Sequence, residues 1–257
     1  NDVKLKLDTT SGFKNDPYRR KYCLDHFNIK SETATPFESF ETGFGKMRRF
    51  LHKKTSMNRP FEKCFYIKQN TRNFDNQLLD LNINNHVYLE GYWQSEKYFS
   101  DIREILLQDL EIITPHETEN IELSKVIRSS NSICIHVRRF NQTDVNSVSD
   151  EFSLTPDYYI KAIESIKRRV PDPVFFCFGD NPEWFLQNIS IIPEVIVIKN
   201  NDESRCYEDL WLMSQCKHFI LANSTFSWWG AWLCRNQKKI VICPDPKKWN
   251  LNKDFVC

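Results

Sequence analysis

Glycine is scarce in this sequence of 257 residues, with only Gly12, Gly43, Gly45, Gly91, Gly179 and Gly230. None is spaced as Gly-x-Gly-x-x-Gly or set in a Walker loop, so dinucleotide-binding and P-loop chemistry find no support. Net charge is also nearly absent, at +1. No global field gathers nucleic acid or an acidic membrane, and any anion site must be local. No apolar run reaches the roughly 18 residues of a membrane span; the longest, Phe219 to Cys234, is broken by Asn223, Ser224, Thr225 and Ser227. No signal peptide is legible. The nine cysteines form no Cys-x-x-Cys pair and have no clustered histidine, which argues against zinc or another metal. Cys134 and Cys177 lie inside apolar runs, where a free thiol acts as a small buried hydrophobe. That usage points to a reducing cytosol, and so to a cytoplasmic protein, soluble or peripheral to the inner face of a membrane. What remains is an ordinary globular composition, 40% hydrophobic and 27% charged, with enough chain for a real core.

The second half alternates. Ser132–Val137 is strand-like, and an amphipathic stretch from Pro156 to Arg169 follows, opened by Thr155-Pro156. Further strands are expected at Val174–Phe178, Val195–Ile198, Phe219–Ala222 and Ile240–Cys243, with helices over Pro182–Asn188, Cys206–Cys216 and Phe226–Cys234. Five strands alternating with helices predict an α/β domain with a doubly wound parallel sheet. Ligands of such sheets sit outside the carboxyl ends of the strands. Residues 1–120 are less regular, with strands at Leu5–Asp8 and Cys64–Ile67, helices over Pro36–Lys54 and Ser95–Asp109, and a polar linker at Thr114–Asn120. The expected domains are therefore 1–120 and 121–257.

Polar residues at strand ends carry the chemistry. His136-Val137-Arg138-Arg139 closes the first strand of the alternating half. Two adjacent guanidinium groups there can hold a diphosphate bidentately without a metal, although an arginine pair also suits a solvated face. His136 alone fits a satisfied core histidine. Asn223, Ser224, Thr225 and Ser227 run from a strand end into a helix start. Such residues cap helices, and an uncapped first turn aims N–H groups at an anion. Trp228 and Trp232 share one helical face and suit a core better than a sugar platform. Asp180 follows a strand and Asp209 opens a helix; each can reach the same crevice or serve only a helix dipole.

Taken in order, Ile135–Arg139, Phe176–Trp184 and the long block Asp209–Trp232 resemble the α-1,2-fucosyltransferases, glycosyltransferase family 11. Tyr18–Tyr22, Leu24–Ile29 and Gly91–Phe99 agree, so the resemblance covers nearly the whole chain. It implies a GT-B-like fold, two Rossmann-like domains with parallel sheets facing across a cleft. The N-terminal half would take the acceptor and the C-terminal half GDP-fucose. The implied reaction is a metal-independent, inverting transfer of L-fucose to the 2-hydroxyl of a terminal galactoside, with a galactose-terminated glycan as acceptor and no cofactor. The lack of an Asp-x-Asp motif agrees with chemistry that needs no divalent cation. In the wider fucosyltransferase group, residues matching His136 and Asp209 lie by the guanosine. The arginine matching Arg138 or Arg139 meets the pyrophosphate, and the turn matching Asn223–Ser227 meets phosphate oxygens. Two departures stand out. The family continues Arg-Arg-Gly-Asp, whereas Phe140 and Asn141 follow Arg139 here, so the general base is sought in Asp144 first, then Asp150 or Glu151. The opening strand and Gly-Asn-Gln loop of the family find no counterpart before Leu5–Asp8. The alternatives are a GDP-sugar transferase of another linkage or acceptor, and a catalytically silent glycan- or nucleotide-binding protein.

Overall fold

The computed structural model describes residues 3–14, 16, 20–57, 59–60, 63–71, 73–81, 86–139, 153–192 and 194–245. They gather in two compact units, spanning Asn1–Glu111 and Ile112–Asn250.

The first unit has short elements: β1 (Lys6–Leu7), β2 (Glu32–Thr33), α1 (Gly45–Ser56), β3 (Tyr66–Lys68), β4 (Tyr88–Glu90) and α2 (Arg103–Asp109). The strands pair only in twos, β1 with β2 and β3 with β4, both parallel. Two expected helices are shorter than the sequence pattern predicts. That over Pro36–Lys54 begins only at Gly45, because Phe40 (φ 60°) and Gly43 (φ 54°) take left-handed backbone that no helix continues through. That over Ser95–Asp109 is two single 3₁₀ turns, Glu96–Tyr98 and Ser100–Ile102, ahead of α2, since Phe99 leaves the helical region with φ −145°.

The second unit opens with α3 (Thr118–Ser129), a helix that begins inside the expected linker. There follow β5 (Asn131–Val137), α4 (Pro156–Lys167), β6 (Pro173–Gly179), α5 (Pro182–Asn188), β7 (Val195–Val197), α6 (Cys206–Ser214), β8 (His218–Ile220), α7 (Thr225–Leu233) and β9 (Val241–Ile242). All five strands are parallel, in the order β7-β6-β5-β8-β9. This is the doubly wound sheet that the alternation predicts, so the chain is mixed α/β with parallel sheets. Successive strand residues point to opposite faces, and both faces are dry. Ile133, Ile135 and Val137 pack with Phe175, Cys177, Tyr159 and Ile163 on one side. Cys134, Phe176, Phe178 and Phe219 pack with Ile127, Leu212 and Met213 on the other. Trp228 and Trp232 are 7% and 6% exposed, with stacked rings 6.3 Å apart. They are core, as their spacing predicts. Among the described residues no helix is long and apolar enough to cross a membrane.

Candidate functional site

Adjacent strands β5 and β8 send their chains to opposite faces of the sheet, β5 toward α4 and β8 toward α7. A crevice opens at such a switch point, outside the carboxyl ends of the strands. His136, Arg138 and Arg139 stand at the end of β5, and Asn223 to Ser227 at the end of β8.

His136 is 4% exposed. Burial, helped by the charge of Arg138, pushes its imidazole down to about 3, so it is neutral at pH 7. Its buried Nδ1 has no hydrogen-bond partner among the described residues. A donor or acceptor left dry costs about 1–3 kcal/mol unless a ligand or water meets it. Phe226, in the first turn of α7, has its ring 5.9 Å from the imidazole.

Asp180 organises the two arginines. Its Oδ2 pairs with Arg138 Nη1 at 3.1 Å, and its Oδ1 accepts from the backbone N–H of Arg139 at 2.9 Å. Burial pushes this carboxyl up, and the Arg139 N–H and the Arg138 charge pull against that shift. The turn that delivers Asp180 needs Gly179, whose φ is 136° and whose Cβ, if present, would overlap the Val137 carbonyl. Arg139 Nη1 donates to the Leu154 carbonyl at 3.1 Å, and its guanidinium lies 4.3 Å from the centre of the Trp184 ring. Cation–π stacking on a partly buried tryptophan holds that side chain extended.

Across the switch point, Ser224 is the extended N-cap of α7 and its side chain makes no capping bond. The first-turn N–H groups at Thr225, Phe226 and Ser227 thus lack an intrahelical acceptor, which is the arrangement that holds anions. Ser227 is fully buried, and its hydroxyl donates to the Ser224 carbonyl at 3.0 Å. It closes the turn from within and does not line the crevice.

Asp209 lies at the same edge, because α6 runs back from the carboxyl end of β7. Burial pushes its carboxyl up to about 6, against the pull of a 2.7 Å hydrogen bond that Asn201 Nδ2 donates to Oδ1. Asn201 Oδ1 in turn accepts from Asn120 Nδ2 at 2.9 Å, and the fully buried Asn120 accepts from Asn200. Asp209 Oδ2 accepts from no described residue. Beside it, the fully buried Glu208 accepts from the Glu117 N–H at 3.3 Å and meets His116 Nδ1 at 2.9 Å, and His116 stacks 3.6 Å from Trp211.

Sequence reasoning thus finds the strand-end residues and misses the amides that orient Asp209. The one signal for them is the Asn200-Asn201 pair just past β7. Asp144, Asp150, Glu151, Phe140 and Asn141 lie outside the described residues.

Chemically, the edge offers fixed cations, helix N–H groups without an intrahelical acceptor, a neutral imidazole and an acceptor carboxylate. That set suits a nucleoside diphosphate. Over 252 residues the chain is 33% identical to the alpha-1,2-colitosyltransferase of Escherichia coli, covering 94% of this chain and 81% of that protein. It is 30% identical to the O-antigen biosynthesis glycosyltransferase WbnK of Escherichia coli over 174 residues, 66% of this chain and 57% of the relative. The galactoside alpha-(1,2)-fucosyltransferase 1 of Rattus norvegicus matches at 29% over 109 residues, 42% of this chain and 29% of the relative. Since the sequence profile of Glycosyl transferase family 11 also matches residues 18–253, the chain belongs to that glycosyltransferase family.

Proposed function

We propose that this glycosyltransferase moves L-fucose from GDP-fucose to the 2-hydroxyl of a terminal galactoside, inverting the anomeric centre. The observation that carries the reading is that Arg138 and Arg139 follow β5 while the paired strand β8 leads into the uncapped start of α7, at the switch point of the sheet. As the sugar leaves, negative charge grows on the departing diphosphate. Preset guanidinium and N–H groups stabilise that charge without reorganising, and they do so without a divalent cation. Arg138 is the diphosphate partner in this reading, with Asp180 fixing its head. Asn223, Ser224 and Thr225 present the α7 turn to the phosphates, and Ser227 holds that turn in shape. His136 and Asp209 recognise the guanosine, the carboxylate accepting from base N–H groups. A carboxylate must take the acceptor proton, and Asp144 is the first choice for it. The reading carries the two-halved GT-B arrangement with it.

The specific alternative is colitose as the transferred sugar, which is fucose without its 3-hydroxyl. It is favoured by the 33% identity to a colitosyltransferase. Incubation with GDP-fucose or GDP-colitose, lactose and EDTA, followed by mass spectrometry and linkage analysis, decides between them. Transfer of fucose to the 2-hydroxyl supports the reading. Transfer of colitose alone replaces the donor. GDP binding without turnover of either donor would leave a silent nucleotide-binding protein.

A further inference from the structure

Within the first unit, the Gly91–Phe99 segment holds one of two described non-glycine residues with left-handed backbone, Trp93, the other being Phe40. Strands β3 and β4 end in register, Lys68 opposite Glu90, so Gln69 and Gly91 emerge side by side at their carboxyl edge. Gln69 Oε1 accepts two backbone N–H groups, from Tyr92 at 2.9 Å and from Trp93 at 3.1 Å. This pins the amide. Its other end, Nε2, is buried and has no partner among the described residues, and the same holds for Oγ of Ser95, a residue 3% exposed. Among the described residues the third such atom is His136 Nδ1, at the candidate nucleotide site.

Trp93 adopts φ 46°, a left-handed conformation that costs a bulky residue on the order of 1–3 kcal/mol and persists only when its surroundings enforce it. Gly91 is part of that enforcement, since a Cβ there would lie 2.5 Å from the Gln69 side chain and 3.0 Å from the Trp93 ring. Trp93 stands edge-on to Tyr98 at 6.1 Å, Phe74 packs 4.8 Å from Tyr98, and the Tyr98 hydroxyl accepts from the Asp75 N–H at 2.8 Å. Beside this braced wall, Tyr92 is 71% exposed. The adjacent carboxylate, Glu90, is matched by Arg49 at 2.8 Å and Lys53 at 2.9 Å.

Aromatic faces, one pinned amide donor and one hydroxyl match an uncharged polyhydroxylated ligand, whose C–H faces stack on rings while its hydroxyls meet the polar atoms. An anion is disfavoured because Arg49 and Lys53 are paired with Glu90 and Arg20, which bonds the Tyr92 side chain, is paired with Asp16. We propose that Gln69, Tyr92, Trp93 and Ser95 form a carbohydrate-binding site that takes a neutral hexose unit of the glycan acceptor; the word acceptor rests on the transferase reading, the site does not.

The discriminating variant is Gln69→Glu, which keeps an Oε1 that can accept from Tyr92 and Trp93 and replaces the Nε2 donor by a carboxylate oxygen, an acceptor of the same size that carries charge. Tyr92→Ala, at an exposed position, is its companion. Circular dichroism confirms that both fold. Saturation-transfer NMR with lactose, N-acetylglucosamine and mannose as probes should show at least one binding, weakened about tenfold or more in each variant. GDP affinity should not move. In turnover assays the acceptor KM should rise while the donor KM stays constant. Binding of the sugars with no donor turnover would overturn the transferase reading and leave the site standing. Transfer with an unchanged acceptor KM in both variants would overturn the site and leave the transferase reading standing. No sugar binding, or equal binding by Gln69→Glu as when a buried water satisfies the two atoms, also overturns it.

Discussion

Ile133 in β5 and Leu89 in β4 are both strand residues, yet the first is fully buried and the second is 49% exposed. The contrast holds across the two units. In Ile112–Asn250 the central strands of a five-stranded sheet have helices over both faces, and two apolar cores result. In Asn1–Glu111 strands of two or three residues pair in twos and leave Phe37, Phe44, Phe50 and Met57 outside. There polar contacts do more of the positioning. The Tyr66 hydroxyl, Arg49 and Lys53 all converge on Glu90, and Tyr88 donates to Asp8 at 2.6 Å. On the two proposals made above, charged groups at strand ends would supply the chemistry in one unit, and a turn with left-handed backbone at Trp93 would supply the recognition surface in the other.

The comparison breaks most readily in the core. Phe176 is fully buried in the middle of β6, so Phe176→Ala should lower stability by about 3–5 kcal/mol in urea unfolding, the lost transfer energy plus a cavity. A loss below about 1 kcal/mol would mean that the second unit is no better packed than the first. Binding comes next. Arg138→Ala should weaken GDP by about 2–5 kcal/mol in calorimetry, because the diphosphate loses a charged partner and Asp180 is left facing it. The fold should survive. Equal binding by the variant would move the diphosphate away from the end of β5.

What could be read from the sequence follows the same divide. A buried parallel strand announces itself as a short apolar run, and Ser132–Val137 or Val174–Phe178 is visible because helices cover both faces. The strand-end placing of His136, Arg138, Asp180 and Asn223 follows from those runs, since each lies within a few residues of a strand end. The Asn120–Asn201–Asp209 chain was not legible, because it joins residues about eighty positions apart and no period marks Asn120 as buried. In the first unit, β4 alternates too weakly for a strand to be read. The Trp93 turn is equally silent, since nothing in Gly91-Tyr92-Trp93 says that a tryptophan will take positive φ.

Asp209 sharpens the comparison through pH. Its carboxyl is held at about 6 against an ordinary 3.8, so between those values the native state keeps a proton that the unfolded chain has lost. Stability therefore falls as pH rises through that window and levels off above it. Asp209→Asn should remove this segment of the profile and raise the thermal midpoint at pH 7, while weakening GDP binding. A variant that keeps the same slope would place the titrating group elsewhere; one that keeps full GDP affinity would make Asp209 structural only.

The smallest effect belongs to α1, which is amphipathic in the reverse of the usual sense. Its polar residues turn inward: Arg49 donates to Glu90 at 2.8 Å, Arg48 lies 3.6 Å over the Phe37 ring, and His52 packs 5.8 Å from Phe40. The outward stripe runs Phe44, Met47, Phe50, Leu51 and, just past the helix, Met57, at 78%, 54%, 62%, 50% and 83% exposed. A side chain almost as wet after folding as before contributes little transfer energy, and alanine, like phenylalanine, offers no cap at this N-cap position, so Phe44→Ala should change unfolding stability by less than about 0.5 kcal/mol. Phe44 has the same aromatic ring as Phe176, so the gap between the two alanine variants isolates burial from residue type. A loss above about 1 kcal/mol for Phe44→Ala would show that this face is covered in solution, and the contrast in burial between the two units would then vanish.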